Sequence, residues 1–257
     1  MNPFGLIDPP AYWNKKTGQF HQIVDTQYVK ALAHDLMNKS RSDKVTIDRR
    51  GGPAPGGFEI VAAQRIEDSA LWERYAKKMR EVYERQTVKN LCKVTTTELL
   101  TQKMQDSLNP AVNEVYLFHG TSIEGAKGIS TTGFRVELAG SSTAAMFGKG
   151  AYFAERSTKS DEYVKETRVD IGLSQETHFA MLLCRVCLGE LYRITDFDKS
   201  AERHVLGSSR YDSLLGDREK VRGTYREFIV YDGAQVYPEY VIIYKRCDQE
   251  PRRPAEA

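Results

Sequence analysis

His119 closes the apolar run "EVYLFHGT", Tyr152 lies in "GKGAYFAE", and Glu227 opens "EFIVYD". All three runs have the apolar, β-branched texture of strands, so three chemically able side chains stand at or near strand ends. Each has a plain structural reading when taken alone. A histidine closing a strand usually serves as a structural hydrogen-bonder, and a strand tyrosine usually packs. Glu227 is less ordinary: it holds a position that usually goes to a β-former, so its carboxylate must face solvent, an arginine or a site. Taken together, the three residue types suit the breaking of a bond between a ribose carbon and a cationic nitrogen ring. A carboxylate stabilises the oxocarbenium-like transition state. Tyrosine faces sandwich a flat leaving ring, and a glycine backbone approaches its carboxamide closely. A histidine can hold a ribose hydroxyl. A substrate of that form is NAD+, spent as a donor of ADP-ribose and not as a hydride carrier.

Other nucleotide chemistries fail on the residues. There is no G-x-G-x-x-G between a strand and a helix, and "GKG" lacks the Ser or Thr that a phosphate-binding loop places after its lysine. Cys184 and Cys187 form a C-x-x-C, but inside the apolar run "FAMLLCRVCLGELYRI" and with no second ligand pair at metal spacing. They read as reduced core thiols of an intracellular protein, nuclear or cytoplasmic, and no metal is expected. With 37 Lys+Arg against 35 Asp+Glu, the net charge of +2 gives no basic surplus for nucleic acid, although the tail after Tyr244 is locally basic. No apolar run approaches the ~20 residues of a membrane span, and the first residues lack the pattern of a secretory signal. At 257 residues the chain is long enough for one large domain or two small ones.

The elements that must position these residues divide the chain by texture. Residues 1–57 read as an N-terminal extension, a small interaction element, with a helix in "DTQYVKALAHDLMNKS" facing inward through Tyr28, Ala31, Leu32 and Leu36. "RRGGPAPGGF" is a Gly/Pro loop. Residues 58–112 read as a strand and helical lead-in. Here "SALWERYAKKMREVYERQ" is an amphipathic helix capped by Ser69 and apolar through Leu71, Trp72, Tyr75, Met79 and Val82, and "TTTELLTQKMQDSL" is one more helix, stopped at Asn109–Pro110. Residues 113–247 are mostly strands: "EVYLFHGT", then a short helix closed by Gly133, "GAYFAE", a helix starting in "STKSDEYVKE", one long strand through "HFAMLLCRVCLGELYRI", and two more in "REFIVYDGAQVYPEYVIIYKR". Residues 248–257 read as a flexible tail.

Four stretches in this order, "LFHGTS", "GFR", "MFGKGAYFAERSTKSDEY" and "EFIVYDGAQVYPEYVIIY", resemble the catalytic domain of the poly(ADP-ribose) polymerase family, the diphtheria-toxin-like ADP-ribosyltransferases. The resemblance is strong over about residues 113–246. It implies an α+β fold of two packed antiparallel or mixed sheets with flanking helices. It implies a protein ADP-ribosyltransferase that uses NAD+ as donor substrate, with acceptor proteins, the chain itself among them, as partners. The family's His-Tyr-Glu triad falls on His119, Tyr152 and Glu227. Gly120 would grip the carboxamide through its backbone, Ser160 would add a side-chain hydrogen bond, and Tyr163 would stack on the ring. Thr121 and Arg135 match positions near the adenosine and its phosphates. Lys149 matches a lysine on the acceptor side. Residues 136–145 match the loop covering NAD+. Because Glu227 is kept, elongation to poly(ADP-ribose) is expected. The alternatives are mono-ADP-ribosyl transfer, NAD+ glycohydrolysis, a non-catalytic NAD+ or ADP-ribose binder, and a tRNA 2′-phosphotransferase, which Glu227 and the near-neutral charge disfavour.

Overall fold

The computed structural model describes residues 8–14, 17–25, 27–49, 52–138, 146–172 and 174–248. In chain order its elements are β1 (His21–Asp25), α1 (Gln27–Lys39), β2 (Gly57–Asp68), α2 (Ser69–Arg85), α3 (Thr95–Leu99), α4 (Gln102–Gln105), β3 (Glu114–Thr121), α5 (Ile123–Thr132), β4 (Ala151–Phe153), α6 (Ser157–Ser160), β5 (Thr167–Ile171), β6 (Ser174–Cys187), β7 (Leu191–Ile194), α7 (Glu202–Leu206), β8 (Ser213–Asp217), α8 (Arg218–Arg222), β9 (Arg226–Val230) and β10 (Val236–Cys247). Short 3-10 turns include Ile47–Arg49, Val136–Leu138 and Asp161–Tyr163. No helix among the described residues is long and apolar enough to cross a membrane.

The strands form two sheets, an α+β architecture with helices on the flanks. The first has the order β1-β2-β10-β6-β3, with β5 pairing β6, and every pairing is antiparallel. The second has the order β4-β9-β8-β7, and β7 and β8 run parallel. Side-chain alternation along β3 explains how the layers pack. Tyr116 and Phe118 join the core under α1, with Met37, Phe58, Met181 and Tyr244. Val115 and Leu117 join the core between the sheets, with Leu182, Cys184, Phe153, Phe228 and Val230. A third layer packs α2 through Trp72, Tyr75, Met79 and Val82 onto Trp13, Cys187 and Tyr237.

Several elements depart from their sequence expectation. Helix α1 buries Val29, Ala33, Leu36 and Met37, while Tyr28 and Ala31 face solvent, so its inward stripe is rotated by one residue. Asp68, not Ser69, caps α2, its carboxylate accepting from the Leu71 N–H at 2.8 Å. Ser69 instead binds the Phe20 backbone and so ties α2 to the segment entering β1. "TTTELLTQKMQDSL" forms α3 and α4, separated at extended Leu100 and Thr101. The long run after His178 is two strands in different sheets. Gly189 sits at φ +58, and a side chain there would meet the Asp212 carboxylate at 2.2 Å, so the chain turns sharply and passes from β6 to β7. The apolar residues flanking the break hid it from a reading by hydropathy. The N-terminal elements share the first sheet and its cores: β1 extends β2, α1 covers the sheet, and Trp13 packs on Trp72 and Tyr237.

Candidate active site

Among the described residues the two sheets are also joined by an isolated backbone bridge, Phe118 to Ala154, whose groups exchange hydrogen bonds of 2.8 and 3.0 Å. Next to it opens a cavity of about 470 Å³, within the range of small-molecule sites. The end of β3, helix α5, the segment after Gly133, β4, α6 with its following turn, and β9 all contribute to its walls. His119, Gly120, Thr121, Arg135, Tyr152, Ser160, Tyr163 and Glu227 line it together. Lys149 does not. Its side chain is exposed, and its backbone N–H binds Glu202. Of the expected covering loop, Val136–Leu138 form a turn at the rim, and residues 139–145 lie outside the described residues.

The first sheet contributes a fixed imidazole and a bare backbone. His119 Nδ1 lies 2.8 Å from the Tyr152 carbonyl. A carbonyl only accepts, so Nδ1 carries the proton and Nε2 is left as an acceptor. Burial lowers the histidine's pKa, against the opposing pull of that carbonyl, and favours the neutral ring. Phe134 and Phe153 wedge the imidazole at centroid distances of 5.0 and 5.4 Å. Gly120 follows immediately, and a Cβ there would come 1.9 Å from the Ser160 carbonyl oxygen. Only glycine permits β3 and α6 to approach so closely. Ser160 is buried and donates to the Phe118 carbonyl at 3.0 Å, which leaves its lone pairs as acceptors.

The second sheet contributes Tyr152 and Glu227 from adjacent strands: Tyr152 pairs with Ile229, two residues from Glu227. The Tyr152 hydroxyl donates to the Gly148 carbonyl and accepts from the Phe147 N–H, both at 2.9 Å. Tyr152 therefore pins the loop before β4, and its ring is what remains for the cavity. Glu227 is 5% exposed. Its Oε1 lies 3.5 Å from Lys159 Nζ and accepts from the Tyr163 hydroxyl at 3.2 Å.

Lys159 and Asp48 carry no signal of a site in the sequence, yet they meet beside Glu227. Lys159 is 3% exposed, and its ammonium reaches Asp48 and Glu162 at 2.9 Å and the Tyr163 hydroxyl at 2.7 Å. Burial alone would push the ammonium's pKa down, but Glu227, Glu162 and Asp48 outweigh it, and the pKa is raised. The lysine is therefore a firm positive charge in a nest of carboxylates. It stands between Thr158 and Ser160, so only its position beside a candidate residue could have drawn attention to it. Asp48 is 111 residues away in sequence and gave no signal. Burial raises the Tyr163 pKa, helped by the nearby Glu227 and Asp48, so its hydroxyl stays protonated and donates.

Residues 44–222 match the poly(ADP-ribose) polymerase catalytic domain; Glu227 lies just beyond that span. Over 213 residues the chain is 27% identical to a probable poly(ADP-ribose) polymerase of Dictyostelium discoideum, covering 82% of this chain and 52% of that protein. It is 27% identical over 253 residues to the protein mono-ADP-ribosyltransferase PARP11 of Homo sapiens, covering 91% of this chain and 62% of the relative. It is 28% identical over 200 residues to the protein mono-ADP-ribosyltransferase PARP12 of Mus musculus, covering 77% of this chain and 23% of the relative. The chain thus spans less than two thirds of the length of these relatives.

Proposed function

The chain belongs to the poly(ADP-ribose) polymerase catalytic-domain family, and from that premise we infer that it is an NAD+-dependent ADP-ribosyltransferase that attaches single ADP-ribose units to protein side chains. The observation that carries the reaction class is the convergence, in one cavity, of a neutral histidine, a bare glycine backbone, two tyrosine rings and a buried carboxylate. Two relatives named as mono-ADP-ribosyltransferases support transfer of one unit.

In this reading the nicotinamide ring of NAD+ lies against Tyr163, with Tyr152 opposite. Its carboxamide is held by the Gly120 backbone and the Ser160 oxygen. His119 Nε2 accepts from the adenosine-ribose hydroxyl, and Thr121 and Arg135 stand toward the adenosine and its phosphates. The bond from C1′ to the ring nitrogen breaks and nicotinamide leaves with the bonding electron pair. Glu227 stabilises the positive charge that develops on the ribose, and the low-dielectric wall strengthens that effect. The acceptor's nucleophilic atom then bonds to C1′ and gives up its proton.

Glu227 itself favours a second reading. A carboxylate at this place can polarise the 2′-hydroxyl of an ADP-ribose already attached, so the chemistry of elongation is present. Purified protein with NAD+ should release nicotinamide, and Glu227→Gln should slow release by about 10²–10³. Labelled product should run as a sharp band; a ladder or smear would replace single transfer with elongation. Nicotinamide release without labelled protein would make water the acceptor.

A further inference from the structure

The segment 41–49 runs across α6 and the turn after it, and charged contacts hold it there. The Ser42 N–H donates to Thr158 Oγ1, and the Thr46 hydroxyl donates to Glu162 at 2.6 Å. Lys44 pairs with Glu219 at 2.9 Å, and the Tyr225 hydroxyl binds the Lys44 carbonyl. Arg49 is inserted against Asp161, which it meets at 2.8 Å, and also binds the Thr158 carbonyl. This strap delivers one carboxylate to the mouth of the cavity. Asp48 Oδ2 accepts from Lys159 Nζ at 2.9 Å and from the Tyr163 hydroxyl at 2.8 Å.

Those two donors are also the donors that Glu227 faces. The Tyr163 hydroxyl has one proton and two carboxylate neighbours, and Asp48 is the nearer, at 2.8 Å against 3.2 Å for Glu227. Lys159 divides in the same way: Asp48 and Glu162 lie at 2.9 Å and Glu227 at 3.5 Å. Asp48 therefore competes for the groups that would otherwise neutralise Glu227. Without it, Glu162 alone would hold Lys159 back, and the Tyr163 proton would have Glu227 as its remaining carboxylate neighbour.

We propose that Asp48 is a positioning residue for the transfer reaction, holding Lys159 and Tyr163 back so that the Glu227 carboxylate stays free to meet the charge developing on the ribose. The inference rests on the proposed role of Glu227. It explains why a buried lysine so close to that carboxylate does not form a tight ion pair with it.

The test is a double-mutant cycle on nicotinamide release, using the full chain, with Asp48→Asn, Asp48→Glu, Glu227→Gln and the combination Asp48→Asn with Glu227→Gln. Asp48→Asn should lower kcat about ten- to a hundredfold, as misplacement of a reacting group does, with KM for NAD+ little changed. Asp48→Glu, which keeps the charge, should restore most of the rate. In the Glu227→Gln background Asp48→Asn should add no further loss, because its effect passes through the absent carboxylate. Equal proportional losses in both backgrounds would overturn the proposal, as would a wild-type rate for Asp48→Asn. An Asp48→Asn protein that fails to fold, or a loss that Asp48→Glu does not recover, would make Asp48 a structural latch and also overturn it. A wild-type rate for Asp48→Asn beside a crippled Glu227→Gln leaves the function intact. A wild-type rate for Glu227→Gln removes both.

Discussion

Gly120 illustrates how little room the site leaves. Its missing side chain is what lets β3 lie against the Ser160 carbonyl, 1.9 Å from where a Cβ would stand. Gly120→Ala must push α6 away, and overpacking of this kind costs about 1–3 kcal/mol. We expect a lower Tm by differential scanning fluorimetry and loss of the thermal shift on adding NAD+; a shift of wild-type size would show that the carboxamide does not bind here. At this scale the sequence was informative about residues that recur in a recognisable pattern. His119, Gly120, Tyr152, Ser160, Tyr163 and Glu227 were all named from it, and all line one cavity. Lys159 and Asp48 were not, because a lysine inside a helical turn and an aspartate in a loop have a solvated face as their default reading. What makes them unusual is the burial of Lys159 and its contact with Asp48, and neither is written in local sequence. Lys149, which resembles an acceptor-side residue, is exposed and is not among the residues lining the cavity, although its neighbour Gly150 is.

Among the elements, β4 and β9 are tied at their ends by Glu155 and Arg226. The guanidinium grips the carboxylate through two nitrogens, and the same carboxylate accepts from the Thr95 N–H that begins α3. Val94 precedes that helix and offers no side-chain cap, so Glu155 supplies the missing acceptor. Burial by itself would raise the Glu155 pKa, but Arg226 and Thr95 outweigh it and hold it below the usual range. A depressed folded-state pKa contributes stability that is fully present above the unfolded value of about 4.3. That stability is lost as pH falls through the folded value. Glu155→Gln should therefore cost about 1.5–3 kcal/mol at pH 7, the range for a hydrogen bond to a charged group. The gap from wild type should close on acidification below about pH 4; a gap that persisted in urea melts at low pH would show that packing, not charge, matters there. Element types were legible wherever periodicity ran long, as in α2 and β3. Boundaries failed where backbone conformation decided them: Gly189 turned one expected strand into two, and extended Leu100 and Thr101 split one helix into α3 and α4.

For the whole molecule, the N-terminal residues are structural partners of distant strands. Trp13 is 3% exposed and meets Trp72 and Tyr237 at 5.4 and 5.6 Å between ring centroids. Beside it, the Tyr12 hydroxyl accepts from Arg185 at 2.8 Å and binds Glu239. Arg185 is buried on β6 and also binds Glu239 at 2.7 Å and Glu114 at 3.0 Å. A guanidinium so enclosed needs every partner, since an unpaired buried charge is costly. Trp13→Ala should lower stability by about 3–5 kcal/mol, the range for truncating a buried tryptophan. Chemical denaturation followed by far-UV circular dichroism would measure it; an unchanged midpoint would mean that this layer contributes nothing to the fold. The resemblance in sequence was strong only from about residue 113. The contribution of residues 8–49 lay hidden because their partners, from β2 and Trp72 to Arg185 and Tyr237, lie roughly forty to more than two hundred residues away.

The bridge between Phe118 and Ala154 has a mechanical consequence. It is the isolated backbone link between the two sheets among the described residues, and it sits one residue from His119 and two from Tyr152. The cavity-lining candidates are thus mounted on two jaws with a rivet at the bite. A sideways slip of one jaw displaces His119 and Gly120 against Tyr152 and Glu227 before it disturbs either sheet's own ladder. The alignment of the bite thus depends on this one joint, while the packed core behind it keeps the tool in one piece.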